Sequence, residues 1–222
     1  MIKAVVFDFD GLIIDTEYAL YKAFCHLLQL DDQDLPIKEY ASYIGTDSVA
    51  LYDYIFNKSN GTLSLEEIKE QSSILHKENL KLPIARDGVE DYLITAKSKG
   101  LKIGLASSSN REWVTYFLKK LNLLDYFDVI QTQDDVDKVK PDPTLYQNVI
   151  NHFGIDPSEA IAFEDSANGA KAAVAAGLNC VIVPNQITEN LPFERYTMRL
   201  TSMKEMELSK VIEYVETMKV RN

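Results

Sequence analysis

The chain has 222 residues, 46% of them hydrophobic, which is enough for one large domain or for a core domain with a smaller inserted one. Its 34 acidic residues outnumber its 23 basic residues and give a net charge of −11 at pH 7. A surface this negative repels nucleic acids and anionic lipids, so neither is an expected partner. An anionic substrate would need positive charge supplied locally, by a metal ion or by a placed lysine.

The two cysteines, Cys25 and Cys180, lie far apart in the sequence and lack the spacing of metal ligands. They are typical of small buried hydrophobic residues in a reducing compartment. The short apolar run near the start of the chain is at the bottom of the length range of a signal-peptide core. No apolar segment approaches the ~20 residues of a membrane span. We expect a cytoplasmic monomer with no membrane partner.

The first apolar run extends from Ile2 to Phe7 and ends in two carboxylates, Asp8 and Asp10, followed by Gly11. Its Val, Ile and Phe content predicts a strand that is buried on both faces. Residues i and i+2 of an extended chain point the same way, so the two carboxylates can share one pocket at the end of the strand. Because neighbouring carboxylates repel each other, the pair favours a hard divalent cation such as Mg²⁺. An ordinary acidic turn fits this stretch equally well when the stretch is taken alone.

Residues 17–82 carry helical patterns and no convincing strand. Helices are expected over residues 17–30 and 47–57, and another begins with Pro36 in its first turn. A further helix is expected to begin at Ser64 with a capping box. The pattern predicts an inserted all-helical domain over residues 17–82.

Helices and strands alternate from residue 88 onward, which predicts an α/β fold with a doubly wound, Rossmann-like parallel sheet. The core domain would then comprise residues 1–16 and 83–222. The expected strands cover residues 101–106, 127–132, 160–163 and 178–183, and the expected helices cover residues 88–99, 110–121, 143–153, 167–176 and 204–218.

Polar groups follow each of the first four predicted strands. In a parallel sheet the carboxyl ends of the strands meet at one edge, where ligands bind. Carboxylates, hydroxyls at a helix start and an isolated ammonium group are typical of metal and phosphate sites. The convergence of all these groups on one edge indicates a metal or phosphate site more specifically than any single group does. The groups are Asp8 with Asp10, Ser107 to Ser109, Lys140, and Glu164 with Asp165.

Each group also has an ordinary structural interpretation. The serines suit a helix N-cap, and the Glu164-Asp165 pair suits the positive end of a helix dipole. Lys140 by itself would be a solvated lysine, but the prolines that flank it stiffen its loop, whereas Lys138 has no following proline.

The three histidines fall within helical patterns and form no constellation in the sequence. We therefore expect His26, His76 and His152 to be structural or exposed.

Four motifs in order along the chain resemble those of the haloacid dehalogenase-like hydrolase superfamily, in the subfamily with a helical cap inserted after the first motif. The resemblance covers essentially the whole chain and extends to sugar-phosphate phosphatases and β-phosphoglucomutase. The motifs are Asp8-Phe9-Asp10-Gly11 with Asp15-Thr16, Ser107, Lys140-Pro141-Asp142-Pro143, and Glu164-Asp165-Ser166-Ala167-Asn168-Gly169.

The resemblance implies a covalent phosphatase mechanism. Asp8 would attack phosphorus to form an aspartyl-phosphate, and Asp10 would act first as general acid and then as general base. Ser107, with the N–H group of Ser108, would bind phosphate oxygens. Lys140 would balance the negative charge of the site.

The resemblance also implies Mg²⁺ as cofactor. Its ligands would be the Asp8 carboxylate, the main-chain carbonyl of Asp10, and Asp165, with Glu164 supporting directly or through water. The helical cap would close over the site and select the leaving group, with Thr16 near the hinge.

Departures from the mutase pattern favour hydrolysis over transfer to a second sugar position. The mutase resemblance requires a His where the chain has Leu20, and an Arg three residues after Gly45, where the chain has Ser48. Glu17, which directly follows Asp15-Thr16, is typical of the phosphatases and is an expected substrate contact.

We expect a phosphatase for small phosphate monoesters, above all sugar phosphates, with a phosphoglucomutase-type activity as the alternative. A non-catalytic protein on this fold is disfavoured because every motif residue needed for turnover is present. Dehalogenation is a remote alternative, because that branch has no use for Asp10 or a metal.

Overall fold

The computed structural model describes residues 1–31, 33–44 and 48–220, apart from the side chains of Ser48, Lys219 and Val220. The strands are β1 (Ala4–Phe7), β2 (Lys102–Ala106), β3 (Val129–Gln131), β4 (Ala160–Glu164), β5 (Asn179–Ile182) and β6 (Met198–Arg199). The helices are α1 (Thr16–Leu28), α2 (Ile37–Ala41), α3 (Ser48–Lys58), α4 (Leu65–Asn79), α5 (Val89–Ser98), α6 (Arg111–Lys120), α7 (Thr144–Phe153), α8 (Ala167–Ala175) and α9 (Leu208–Val220).

The six strands form one sheet in the order β3-β2-β1-β4-β5-β6, and every neighbouring pair is parallel. β1 is central, with Phe7 in register with Leu105 on one side and with Phe163 on the other. Along the chain, β2 and β3 are added on one side of β1, and β4, β5 and β6 are then added on its other side. This reversal of strand order opens a crevice at the carboxyl end of β1, and it confirms the predicted doubly wound α/β fold.

Alternate residues of β1 pack into two separate hydrophobic cores. Val5 and Phe7 face the core formed with α5, α6 and α9, whereas Ala4 and Val6 face the core formed with α7 and α8. All four side chains are fully buried. The strand is therefore covered on both faces, as its apolar sequence predicts.

Helices α1 to α4 form a third hydrophobic core around Tyr21, Phe24, Tyr40 and Ile55. The predicted capping box is present at the start of α4, where Ser64 and Glu67 bond each other's main chain. Described residues 17–82 contain helices and no strand, as the sequence predicts. The division into domains at residues 16/17 and 82/83 stays a prediction.

The helical group is anchored to the sheet at two places. The segments that enter and leave it pair through a bridge between Ile14 and Ala85, and Arg86 N donates to Ile13 O at 2.8 Å. Ile187, from the loop after β5, is buried within the helical core. The position of the helices over the carboxyl edge of the sheet is therefore fixed from both sides.

Three details differ from the sequence-based expectations. β6 was not predicted, because it has only two residues and no recognisable period. The last helix begins at Leu208 rather than near residue 204, because Glu205 binds Thr201 N and Oγ1, both at 2.6 Å, and closes a separate short turn. Glu164 is the last residue of β4 and not part of the following loop.

No helix in the described part of the chain combines the length and the apolar character that crossing a membrane requires. Neither Cys25 nor Cys180 forms a disulfide in the described part of the chain, and Cys180 is buried as expected, whereas Cys25 is only partly buried.

Candidate active site

A cavity of about 900 Å³ lies at the carboxyl edge of the sheet, beneath helices α1 and α4. Loops after β1, β2, β3 and β4 all contribute to its wall, as the positions of the polar groups in the sequence predict. Its lining residues are Asp8, Asp10, Thr16, Glu17, Leu20, Ile44, His76, Ser108, Ser109, Asn110, Trp113, Gln133, Val139, Lys140, Pro141, Asp165, Ser166 and Asn168.

Lys140 is the centre of a buried charge cluster. Its Nζ atom donates to Asp8 Oδ1 at 2.5 Å and to Glu164 Oε1 at 2.6 Å. Tyr146 donates its hydroxyl to the same Glu164 oxygen at 2.6 Å, and the Lys140 ammonium lies 5.1 Å from the Tyr146 ring centroid. Lys138, two residues away, is exposed. The structure thus separates the two lysines of this loop in the way the flanking prolines indicate.

The cluster holds more negative than positive charge. Burial, and then the neighbouring Glu164, raise the pKa of Asp8 to about 7 despite the opposing effect of Lys140. Burial and the charge of Asp8 likewise raise the pKa of Asp165 well above its ordinary value. Burial alone would lower the pKa of Lys140, but Asp8 and Glu164 outweigh it and raise that pKa. One ammonium group therefore does not neutralise the three carboxylates.

The excess negative charge fits a divalent cation. Ligand oxygens of Asp8, Glu164 and Asp165 lie within 4.8 Å of one another, and all three residues are buried. An all-oxygen donor set suits hard cations such as Mg²⁺ or Ca²⁺. Glu164 already accepts from Lys140 and Tyr146 through Oε1, and from Ser166 through Oε2. The oxygens of Asp8 and Asp165 are therefore the more available ligands.

Two motif glycines permit this crowding. Gly11 has a φ of +76°, and a Cβ atom there would overlap the Asp165 carboxylate. A Cβ atom at Gly169 would overlap the Glu164 carboxylate. Each glycine lets the backbone approach an acidic side chain where no other residue would fit.

The Asp10 carboxylate lies outside the three-carboxylate group and has its own set of donors. Oδ1 accepts from Thr16 Oγ1 and Trp113 Nε1, both at 2.9 Å. Oδ2 accepts from Ser109 Oγ at 2.6 Å and from Ser107 Oγ at 3.5 Å. Asp8 and Asp10 line one cavity, as the i, i+2 spacing predicts, but their carboxylates have different partners. The suggested role of the Asp10 carbonyl as a metal ligand stays a prediction.

The three serines after β2 have different positions, because one is buried behind the cavity and the other two line it. Ser107 is buried, and its Oγ accepts from Ser109 N at 3.0 Å. Ser108 and Ser109 are lining residues of the cavity, whereas Ser107 is not among them. Asn110 caps the following helix, α6, by accepting from Trp113 N at 2.7 Å. The start of α6 therefore borders the cavity, although the N–H groups of Arg111 and Trp113 are already bonded to Asp134 Oδ2 and Asn110 Oδ1, both at 2.7 Å.

The helical side of the cavity is formed by Glu17, Leu20, Ile44 and His76. The side chain of Ser48, which stands where the mutase resemblance requires an Arg, lies outside the described residues, and so does the whole of Gly45. Burial, followed by the charges of Asp10, Asp8 and Asp15, raises the pKa of Glu17 to about 8.

The expectation for His76 was wrong in part, because this residue lines the cavity. Its Nε2 lies 3.0 Å from Thr16 O, and its ring centroid lies 5.2 Å from that of Trp113. No sequence signal singles out His76, since its neighbours on α4 follow a helical pattern. Burial lowers its pKa, so the imidazole is mainly neutral near pH 7.

Sequence reasoning also missed Asn185 and Arg86. Asn185 Nδ2 donates to Asp165 Oδ2 at 2.8 Å and to Gly11 O at 3.2 Å. Arg86 donates to Gly11 O, and to the main-chain oxygens of Val183 and Pro184 at 3.1 and 2.9 Å. Asn185 lies three residues after the end of β5, so an inspection of the fifth strand end would have found it. Arg86 follows no strand and carries no such signal.

The chain is similar to known proteins in sequence and in fold. A family model described as "Haloacid dehalogenase-like hydrolase" matches residues 5–183. The chain is 44% identical over 218 residues to the "Putative phosphatase YhcW" of Bacillus subtilis, covering 98% of this chain and 99% of that protein. It is 30% identical over 214 residues to the "Hexitol phosphatase B" of Escherichia coli O157:H7, covering 92% and 94%. A solved structure described as a "putative beta-phosphoglucomutase" from Thermotoga maritima superposes with a TM-score of 0.78 and 26% identity, covering 96% of this chain and 99% of that one.

Proposed function

The chain belongs to the haloacid dehalogenase-like hydrolase family, and we propose that it is a Mg²⁺-dependent phosphatase that hydrolyses small phosphate monoesters, sugar phosphates among them, through an aspartyl-phosphate on Asp8. The observation that carries the proposal is the Lys140 ammonium, which lies within 2.6 Å of both Asp8 and Glu164 while Asp10 is held apart by four other donors. A nucleophile beside a fixed cation, with a separate acid–base group, is the arrangement that covalent phosphoryl transfer requires. Phosphatase names among the relatives support the same reaction class.

In the first step an Asp8 carboxylate oxygen attacks phosphorus, and the bond between phosphorus and the ester oxygen breaks. Asp10 gives its proton to the departing oxygen, so the leaving group departs as a neutral alcohol. Lys140 donates to Asp8 and offsets charge on the phosphoryl group. Ser108, which lines the cavity, would donate its N–H group to the phosphate oxygens that gain charge.

In the second step a water molecule attacks the phosphorus of the aspartyl-phosphate. Asp10, now a carboxylate, takes the proton of the attacking water, and the bond between phosphorus and Asp8 breaks to release inorganic phosphate. Trp113 N–H can only donate, so Oδ2, whose partners are serine hydroxyls that can reverse direction, is the Asp10 oxygen that would carry the proton between the two steps. One residue thus serves both steps.

Asp8, Asp165 and, more distantly, Glu164 would hold the Mg²⁺ ion. When bound, the ion supplies positive charge that screens the carboxylates from the substrate's phosphate and orients that phosphate for attack. Asn185 donates to Asp165 and so fixes the orientation of that ligand.

The helices α1 to α4 would act as a cap domain, residues 17–82, that excludes water and contacts the leaving group. This division, a monomeric state and a cytoplasmic location are parts of the same proposal. A mutase activity is not favoured, because Leu20 lines the cavity where a mutase-type enzyme would need a proton-relaying histidine.

A phosphate-release screen tests the proposal. Purified protein is assayed with sugar, nucleotide and glycolytic phosphates, and with p-nitrophenyl phosphate, in Mg²⁺ and in EDTA. We expect turnover in Mg²⁺ only, and a loss of about 10³-fold or more in Asp8→Asn, since the amide cannot attack phosphorus. Activity that survives in Asp8→Asn would rule out the covalent mechanism, and activity that survives EDTA would rule out the metal.

A further inference from the structure

We infer that the enzyme selects phosphate monoesters whose leaving group carries no negative charge, such as polyols and sugars, and discriminates against leaving groups that carry a carboxylate or a second phosphate. The inference deepens the proposed function and rests on it. It comes from the charge distribution on the leaving-group wall, which we define as Glu17, Leu20, Ile44 and His76.

The described lining of the cavity offers no free cation to a second anionic group. Its carboxylates are Asp8, Asp10, Glu17 and Asp165, and its single Lys or Arg is Lys140, which is already bound to two carboxylates. Residues 45–48, which continue the chain from Ile44, read Gly-Thr-Asp-Ser and add no positive charge by sequence. In the proposed mechanism, Lys140 and the Mg²⁺ ion would act on the transferred phosphoryl group rather than on the leaving group.

His76 is the remaining titratable group on the leaving-group wall that could become positive. Its Nε2 is engaged at 3.0 Å by Thr16 O, and the Trp113 ring covers one side of the imidazole. Burial lowers its pKa, so at neutral pH it presents no charge. It can orient a hydroxyl group but cannot offset an anion.

The raised pKa of Glu17 indicates that negative charge is disfavoured on this wall. This pKa is raised to about 8 by burial first, and then by the charges of Asp10, Asp8 and Asp15. The same burial and the same carboxylates oppose any other negative charge placed there. A hydroxyl group meets no such penalty, because a carboxyl oxygen can accept its hydrogen bond in either protonation state.

The rest of the leaving-group wall suits a neutral, partly apolar group. Leu20 and Ile44 provide an apolar surface for the C–H groups of a sugar or polyol chain. The cavity of about 900 Å³ lies within the range of small-molecule sites and exceeds the needs of a two-carbon leaving group. The wall therefore favours a hydroxylated chain or ring of several carbons.

The test compares kcat/KM in Mg²⁺ for glucitol 6-phosphate and glucose 6-phosphate, which have neutral leaving groups, with kcat/KM for 2-phosphoglycolate and fructose 1,6-bisphosphate. We expect the neutral class to be favoured by about 30-fold or more. Leu20→Lys places an ammonium group on the leaving-group wall and should raise the relative kcat/KM for 2-phosphoglycolate by about tenfold. Leu20→Met is the control for size, and Glu90→Lys, an exposed change on α5, is the control for overall charge.

Equal efficiency for the two substrate classes in the wild type would overturn the inference. A preference for neutral leaving groups that neither Leu20→Lys nor Glu17→Gln reduces would also overturn it. If Leu20→Lys does not give a folded protein by circular dichroism, the result for Glu17→Gln alone decides. Absence of phosphate release from every substrate, p-nitrophenyl phosphate included, contradicts the proposed function instead. The two failures are thereby distinguished.

Discussion

The two sides of the cavity are built in different ways. The phosphoryl side consists of charged groups from the ends of β1 and β4 and from the loop after β3, and one oxygen each of Asp8, Glu164 and Asp165 accepts a hydrogen bond of 2.8 Å or shorter. The leaving-group wall comes from α1, α4 and the segment at Ile44, and it combines two apolar side chains with Glu17 and a neutral His76.

The difference assigns separate tasks to the two sides. Dense, buried charge that is held by hydrogen bonds can stabilise a transition state without reorganising, which is what rate enhancement needs. A sparse wall with few fixed partners can be changed at little cost to the chemistry, which is what substrate choice needs. Substitutions on the phosphoryl side should therefore lower kcat for every substrate, whereas substitutions on the opposite wall should change the ranking of substrates.

Lys140→Met should give the largest loss among the substitutions that spare the nucleophile. It removes the ammonium that balances Asp8 and Glu164, so we expect kcat to fall by about 10²- to 10³-fold for all substrates alike. The variant should also unfold at a lower temperature, because two buried carboxylates lose their partner. Steady-state kinetics and thermal denaturation check both effects.

Lys138→Met is the matched control, since the same change is made two residues away at an exposed position. It should leave kcat and melting temperature nearly unchanged. If Lys140→Met lost activity on sugar phosphates alone, the result would contradict the proposed separation of tasks between the two sides of the cavity.

Mg²⁺ should stabilise the protein more at pH 8 than at pH 5. The pKa of Asp8 is about 7 and that of Glu17 about 8 in the fold, against ordinary values of 3.8 and 4.5. Groups with raised pKa values favour the folded state while they are protonated, and that stability is lost as the pH rises from about 4 toward 8. A cation bound to ionised Asp8 replaces the lost proton, so its benefit grows over the same range.

Thermal denaturation with and without Mg²⁺ at pH 5 and pH 8 measures this effect. Asp165→Asn should reduce the shift at pH 8, because it removes a charged ligand. An equal shift at both pH values would mean that the ion binds elsewhere or without proton competition.

The sequence predicts the phosphoryl side far better than the leaving-group wall. Asp8 and Asp165 each follow a strand directly, Lys140 lies in the loop after β3 and is followed by Pro141 and Pro143, and parallel strands must bring their carboxyl ends to one edge. Their meeting therefore follows from topology and local pattern alone. The sheet, the order of the helices and the capping box at Ser64 follow in the same way.

The positions of Trp113 and His76 could not be predicted, because neither follows a strand. Each lies on a helix where its neighbours satisfy an ordinary helical pattern, and its role depends on the angle at which that helix, α6 or α4, lies over the sheet. No periodicity in the sequence encodes that angle. The two-residue strand β6 was missed for a similar reason, since its pairing depends on β5 rather than on its own pattern.

Trp113→Phe should lower kcat by about tenfold with little change in KM. The substitution keeps an aromatic ring but removes the N–H group that holds Asp10 Oδ1 at 2.9 Å. The loss should be larger for sugar phosphates than for p-nitrophenyl phosphate, because a nitrophenolate departs without a proton from Asp10. Tyr116→Phe, an exposed change on the same helix, is the control. An equal loss for both substrates would assign the tryptophan a merely structural role.

Leu20→Ala should have the smallest effect and the most selective one. The shorter side chain removes apolar contact area from the leaving-group wall, so we expect kcat/KM for sugar phosphates to fall by roughly threefold to tenfold, mostly through KM. In the proposed mechanism, hydrolysis of the aspartyl-phosphate would take place on the other side of the cavity, so kcat should change little if that step limits turnover. Leu27→Ala is the matched control, because Leu27 packs against the same helical core without lining the cavity, and it should lower stability without raising KM. If Leu20→Ala lowered kcat for every substrate by the same factor, the wall would act through the position of α1, and specificity and chemistry would not be separable in this cavity.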